Sequence, residues 1–497
     1  MLYATIAALA ASLLFFIWIG LRDRTPVGSV DDYLTARGSQ GALTLGLSFL
    51  ASGMGGWILF VPPEIGAFVG PVAVVGYALA AALPLLVLAA CAPAIRRRLP
   101  EGRTIAEYAQ ERFGAGLRLW VTALSVLYML CFITAELTAI GAITAMLSDL
   151  PGSVVIVAVA VTTLAYTTWG GLRASLNTDR WQAALLLGLL VVVLAVLLFH
   201  LPESGLAQPW PVAPLEVSLG VALTLVIAVT AANIFHQGYW QRLWSARSDA
   251  ELRRGAGLGA LLIVPVMLVM GALGMLCIAL GKNPGTPPIP FFALLSGAPG
   301  WLALPVLLLA VALVASSVDT LQSAIASLVV TARPKVSLSA ARWVTVLLMV
   351  PVAAVSLQGY SVLRLFLIAD LLCATAAVPL LLGLWHRMTP TAAIAGVTAG
   401  LVGAVLPGWI GDGSLAAGVL AATFPSGVPT LAPFLGALLA SSALGLAVAW
   451  LKPSPEGTAT PSGAVSCGRR RRGRAVCPCC VGEDCVGTAK LADVWQK

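Results

Sequence analysis

Apolar runs of about 20 residues, separated by short polar or basic breaks, repeat along almost the whole chain. A run of that length crosses the roughly 30 Å hydrocarbon layer of a bilayer as an α-helix. Counted this way, the pattern predicts about thirteen membrane helices. They fall over 2–21, 41–65, 70–93, 116–147, 152–170, 180–200, 216–238, 256–280, 302–330, 340–357, 361–384, 391–410 and 431–451. Met1 to Gly20 has neither the basic start nor the small-residue cleavage site of a secretory signal, so it is expected to remain as the first span. The expected class is an all-α polytopic membrane protein.

Composition excludes the soluble alternative. Only 10% of the 497 residues are charged, 59% are hydrophobic and the mean hydropathy is +0.95. A soluble surface needs about a quarter charged residues, so lipid must cover most of this exterior. The net charge of +8 would suit nucleic acid, but the basic residues sit in short clusters between apolar runs. Arg22 and Arg24, Arg96 to Arg98, Arg173, Arg242 through Arg254, Arg333 and Lys335, and His386-Arg387 all fall in alternate loops. The intervening loops, at Val69-Gly70-Pro71, Ser148-Asp149, Pro202-Glu203, Gln358-Gly359 and 411–430, carry few, with Lys282 the exception. That asymmetry predicts the N-terminus outside and the C-terminus in the cytoplasm, in the plasma (inner) membrane. The bilayer, not nucleic acid, is the expected partner, and the sequence sets no oligomeric state. Cys91, Cys131, Cys277 and Cys373 lie in apolar runs, where they are expected to act as small buried hydrophobes. The segment after Lys452, with Arg469 to Arg472 and Cys477-Pro478-Cys479-Cys480, reads as a disordered cytoplasmic tail. Metal or lipid contact is its sharper alternative.

Three spans break the rules for a lipid-facing helix. Span 41–65 holds Ser52, Gly53, Gly55 and Gly56, then Pro62-Pro63 and Glu64. Such residues free backbone groups from the helical ladder, which hydrocarbon tolerates only where protein or solute replaces the lost partner. A broken helix is expected there, with Ser52, Gly53 and Trp57 near a solute. Span 302–330 carries Ser316, Ser317, Asp319 and Thr320 together. Hydroxyls beside an intramembrane carboxylate point to an ion pathway. Leu313, one turn before Ser316, shares its face, and carbonyls plus hydroxyls suit a hard cation such as sodium. Span 216–238 ends in Asn233, His236, Gln237, Gly238 and Tyr239, a set that suits a polar uncharged or cationic solute. Asn233, Gln237 and Tyr239 are the expected contacts, whereas Trp240, Arg242 and Trp244 read as interfacial anchors. Glu136, between Thr134 and Thr138, reads equally as a proton relay, a substrate counter-charge or a structural acid.

From Asp32 to Arg387 the chain resembles the sodium:solute symporter family. "DYLTARG" (32–38) and "LASGMGGW" (50–57) resemble the approach to its broken helix and that helix itself. "GRTIAEYAQERFG" (102–114), "YTTWGGLRASLNTDRWQAALLL" (166–187) and "ASSVDTLQSA" (315–324) follow in the family's order. The resemblance implies a leucine-transporter-type core of two inverted five-helix repeats. The implied organisation is an extra helix and loop over 1–40, repeats over about 41–200 and 216–390, two extra helices over 391–452 and a tail over 453–497. It also implies a sodium site from backbone oxygens of Ala51 and Met54, the Leu313 carbonyl and the hydroxyls of Ser316 and Ser317. Asp179 matches the acid that lines the inner sodium exit, and Asp319 serves as an auxiliary acid. Proline-type relatives carry an aspartate where this chain has Gly53.

"FHQGYWQRLWSAR" (235–247) and "AELTAIG" (135–141) are similar to the urea and polyamine branch. The implied function is sodium-coupled symport of a small polar organic solute, urea or a similar nitrogen compound, by alternating access. Proton coupling through Glu136 or Asp319 is one alternative; a non-transporting sensor or channel of the same fold is another. Enzyme activity is not expected, since the three histidines form no metal-spaced pair and no nucleophile motif is present.

Overall fold

The computed structural model describes residues 2–451 apart from 23–28, 201–204, 287, 297, 333–336, 359–361 and 426–428. Arg24, Pro202, Glu203, Arg333, Lys335, Gly359 and the tail over 453–497, with its cysteines, lie outside the described residues. Among those residues the secondary structure is helical. It begins with α1 (Leu2–Arg22), α2 (Val30–Thr35), α3 (Ala42–Gly53), α4 (Val61–Phe68), α5 (Pro71–Arg98) and α6 (Ile105–Phe113). The middle comprises α7 (Ala115–Leu147), α8 (Gly152–Phe199), α9 (Leu215–Ile234), α10 (Gln237–Ser245), α11 (Asp249–Ala279) and α12 (Pro290–Leu295). Then follow α13 (Ala303–Thr331), α14 (Leu338–Ser356), α15 (Val362–Leu381), α16 (Pro390–Asp412), α17 (Leu415–Ala421) and α18 (Leu431–Leu451).

The expected broken span is α3 plus α4. Met54 leaves helical space at φ −108° and ψ 98°, and Gly55 is extended. One tight turn over Gly56–Leu59 follows, and Pro62 and Pro63 then open α4. There their missing N–H groups leave no gap in the ladder. The two halves meet at 62°.

A second break lies inside α8. Its 48 residues would extend about 70 Å if straight, more than twice the hydrocarbon thickness. Gly171 interrupts it at φ 58° and ψ −148°. Glycine adopts that conformation without steric cost, and a Cβ here would meet the Tyr33 carbonyl at 2.4 Å. Among the described residues, eleven helices are long and apolar enough to cross a membrane; the bent pair makes a twelfth and division of α8 at Gly171 a thirteenth. The sequence places a loop over 171–179, but that stretch is helical after the break. Its Leu172, Leu176, Thr178 and Asp179 are buried against other helices.

The helices sort into two layers. In one, α3 and α4 pack on α11, α11 on α5 and α5 on α9; in the other, α8 packs on α13 and α7, and α3 meets both α8 and α13 where the layers join. Small residues let α4 and α11 approach closely: a Cβ on Gly274 would lie 1.8 Å from the Pro63 carbonyl.

At one end the basic loops knit together. Arg37 and Arg103 both pair with Asp31, Arg173 with Asp32 and Arg96 with Asp249. Arg112 donates to the carbonyls of Trp385 and Met388 at 2.9 and 2.7 Å. The Arg37 guanidinium, followed by Arg103, holds the Asp31 carboxyl below the usual carboxylate range.

Candidate functional site

The last turn of a helix leaves carbonyls without partners, and α3 ends inside the protein. Ser316 of α13 faces it across the layer boundary. Its Oγ lies 2.8 Å from the Ala51 carbonyl and 2.9 Å from the Leu313 carbonyl. Two of the other expected sodium oxygens therefore lie within hydrogen-bond reach of the Ser316 hydroxyl. Ser317 is fully buried and its hydroxyl has no partner. Met54 begins the unwound stretch. Oxygens alone, from carbonyls and hydroxyls, make a donor set for a hard monovalent cation.

Glu136 of α7 serves the same break. Its Oε2 accepts a 2.6 Å bond from the Gly56 amide, one of the N–H groups the unwinding frees. A Cβ on Gly55 would meet Oε1 at 2.1 Å, so only glycine lets the carboxylate approach.

Deeper toward the basic end lies a buried polar cluster. The Asp319 carboxylate accepts from the hydroxyls of Tyr166, Ser175 and Thr178 at 2.5, 2.6 and 3.1 Å. Asp179 accepts from Arg242 Nη2 at 2.9 Å and from the Ser48 hydroxyl. Arg242 also donates to Ser48 Oγ at 2.8 Å, the Gly238 carbonyl at 2.7 Å and Thr320 Oγ1 at 3.2 Å. This corrects the reading of Trp240, Arg242 and Trp244 as interfacial anchors. They are 0%, 0% and 2% exposed, because α10 turns under the basic loops. There the Trp240 and Trp244 indoles donate to the Ile234 and Leu99 carbonyls.

A cavity of about 370 Å³ opens beside the break, reaching from Gly53 and Asn233 to Phe68, Val69, Pro288 and Pro429, the end away from the basic loops. Trp57, Tyr77, Tyr128 and Phe132 wall it, and Glu64 and Asp370 contribute carboxylates. Of the expected solute contacts, Gly53, Trp57 and Asn233 line this space. The Ser52 hydroxyl instead bonds back to the Ser48 carbonyl at 2.6 Å. The Gln237 amide oxygen accepts from the Ile105 amide at 2.9 Å, and its nitrogen donates to the Arg103 carbonyl and Ser327. Tyr239 stacks on His236 at 4.4 Å, its hydroxyl 2.6 Å from where a Cβ of Gly53 would sit. The sequence reading missed Asp370, although a lone acid in the apolar run "FLIADLLC" (366–373) is the same signal that marked Asp319.

Residues 33–208 match the model of the sodium:solute symporter family. Over those residues the chain is similar to the sodium:solute symporters. Among curated proteins, the spermidine transporter DUR31 of Candida albicans (strain SC5314 / ATCC MYA-2876) is 29% identical over 394 residues. That alignment spans 77% of this chain and 74% of the relative. Among solved structures, a Na+-coupled sialic acid symporter in a substrate-bound outward-open state superposes with a TM-score of 0.74 at 17% identity. It covers 90% of this chain and 98% of its own. Mhp1, a nucleobase-cation-symport-1 family transporter in a closed conformation with bromovinylhydantoin bound, gives a TM-score of 0.54 at 14% identity. That match covers 85% of this chain and 95% of Mhp1. The fold is therefore the leucine-transporter type, with helices long and apolar enough for an integral membrane protein.

Proposed function

We propose that this protein is a symporter that couples sodium entry to uptake of a small nitrogen-bearing organic solute, in the plasma (inner) membrane with its C-terminus in the cytoplasm. The observation that carries the reading is the reach of Ser316 across the layer boundary to the Ala51 carbonyl. In this mechanism a cation seated between the two takes over both oxygens, with Met54, Leu313 and Ser317 completing its shell. It ties the broken span to α13 and sets the walls of the adjoining cavity. The cavity opens at the end away from the basic loops, while Arg–Asp pairs close the basic end; with the proposed orientation, this is an outward-facing state. Rocking of the layers then parts Arg242 from Asp179 and releases cation and solute inside. Each sodium entering adds about 2.3 kcal/mol per 100 mV of membrane potential. Urea fits the nitrogen-compound reading from sequence. The similarity to a spermidine transporter supports the same class and extends it to amines.

A second reading, proton coupling through Glu136 or Asp319, rests on the burial of both carboxylates. Thermal unfolding of the purified protein separates the two, since a ligand that binds only the folded state raises its stability by mass action. Titrating sodium against choline at fixed pH, with urea and a series of amines, is expected to give solute-dependent stabilisation only in sodium. Equal stabilisation in choline would transfer the coupling role to the proton.

A further inference from the structure

Away from the central cavity, a pocket of about 200 Å³ lies between α1 and α8, lined by Trp18, Ile19, Arg22, Asn177, Arg180 and Trp181. Helical periodicity builds it. Trp18 and Arg22 stand one turn apart on α1, and Arg180 and Trp181 stand three and four residues beyond Asn177 on α8. The ring of Phe15 joins the two indoles, stacked on Trp18 at 6.2 Å and edge-on to Trp181 at 6.0 Å. The Arg22 guanidinium lies 5.0 Å over the Trp18 ring, a cation–π contact that holds it at the pocket. The pocket belongs to the basic end. Gly20 packs against Tyr166, five residues before the break at Gly171, and that break abuts Tyr33 of α2. Asp31 and Asp32 beside Tyr33 hold Arg37, Arg103 and Arg173.

Charge and exposure say what the pocket takes. Those neighbouring arginines have carboxylates, but neither Arg22 nor Arg180 joins an ion pair among the described residues. Two guanidiniums lining one small space repel each other unless an anion lies between them. The guanidinium fork matches a phosphate with two parallel N–H donors. The pocket also faces out of the helix bundle, since Trp18 and Trp181 are 55% and 53% exposed. Exposed tryptophans mark the depth at which headgroups meet hydrocarbon. The same two faces continue as Leu14 on α1 and Val191 on α8, 63% and 65% exposed. In a bilayer those rows are covered by acyl chains, so an anion bound here has hydrocarbon directly beside it. A free phosphate would make no use of them. Basic pockets between spanning helices on the cytoplasmic side are where anionic headgroups bind.

We infer that this pocket binds the headgroup of an anionic phospholipid from the leaflet at the basic end. Arg22 and Arg180 clamp its phosphate from α1 and α8, the two indoles flank its glycerol, and its chains run over Leu14 and Val191. The lipid thereby ties α1 to the part of α8 that follows the break and carries Asp179. The site requires a bilayer and is independent of the coupling ion and of the solute.

The test follows thermal unfolding of the purified full chain in neutral detergent as dioleoyl phosphatidylglycerol, dioleoyl phosphatidylcholine or inorganic phosphate is added. Wild type is expected to be stabilised by phosphatidylglycerol and not by phosphatidylcholine, which has the same chains but a choline cation that the arginines repel. Arg22→Gln with Arg180→Gln is expected to raise the half-saturating phosphatidylglycerol at least about tenfold, as loss of two charge-assisted partners implies. Arg97→Gln with Arg253→Gln removes the same charge from two other arginines and should leave that value within about twofold. All of these side chains are exposed, so unfolding in detergent alone should be the same for both variants and wild type. Equal losses in the two double variants, or a wild type that responds alike to both lipids or to neither, would overturn the inference. Stabilisation by inorganic phosphate with the same dependence on Arg22 and Arg180 would overturn the lipid assignment and leave a site for the free anion.

Discussion

Alanine at both Ser316 and Ser317 is expected to raise the sodium concentration for half-maximal uptake by roughly 100-fold, as loss of two oxygen partners at about 1.4 kcal/mol each implies. Ser316 bridges the Ala51 and Leu313 carbonyls, and Ser317 adds a buried hydroxyl with no partner of its own. Without them the cation faces carbonyls on one side only, and the broken span loses its tie to α13. Solute binding at saturating sodium should change much less, because neither serine lines the cavity. Uptake measured against sodium concentration checks this. A double variant with the wild-type sodium response would place the coupling cation elsewhere.

The other large effect concerns the Arg242–Asp179 pair, which is fully buried, with Arg242 also bonded to Ser48, Gly238 and Thr320 and Asp179 Oδ2 also accepting from Ser48. Removing one member leaves an uncompensated charge in a low-dielectric interior. Arg242→Met or Asp179→Leu alone is therefore expected to cost about 3–5 kcal/mol of stability. The combined variant removes both charges and keeps side-chain volume, so it should recover most of that loss. It should not recover transport, because the pair joins Ser48 of the broken span, Thr320 of α13 and the start of α10 at the closed end. Thermal unfolding in detergent reads the first expectation and uptake reads the second. A double variant as unstable as the two single losses combined would show that the pair stabilises through its geometry and not through mutual compensation.

How far the sequence carried depended on how local each cause was. The spans were legible because hydrocarbon thickness imposes a run length on every one of them. The break over 53–56 was legible because glycines and prolines state the backbone problem in their own chemistry. The approach of Ser316 to Leu313 follows from helical periodicity alone. Gly171 was harder: residues on both sides favour helix, and the break needs its left-handed φ, not a polar loop. Arg242 was misplaced because an Arg after aromatics is the ordinary mark of an interface, and its partner Asp179 lies 63 residues away. Gln237 reads as a solute contact until the loop carrying Arg103 and Ile105 folds over it. Asp370 stood alone among apolar residues, without the hydroxyls that drew attention to Asp319. What makes it a site is the cavity, built from helices far apart in the chain.

Sodium-coupled accumulation is tested most directly in proteoliposomes with an inward sodium gradient and an inside-negative potential, using labelled spermidine and urea. The expected result is solute accumulation above passive leak that collapses when choline replaces sodium at fixed pH. Accumulation that persists unchanged in choline, or no uptake beyond leak under either condition, would contradict sodium-driven symport.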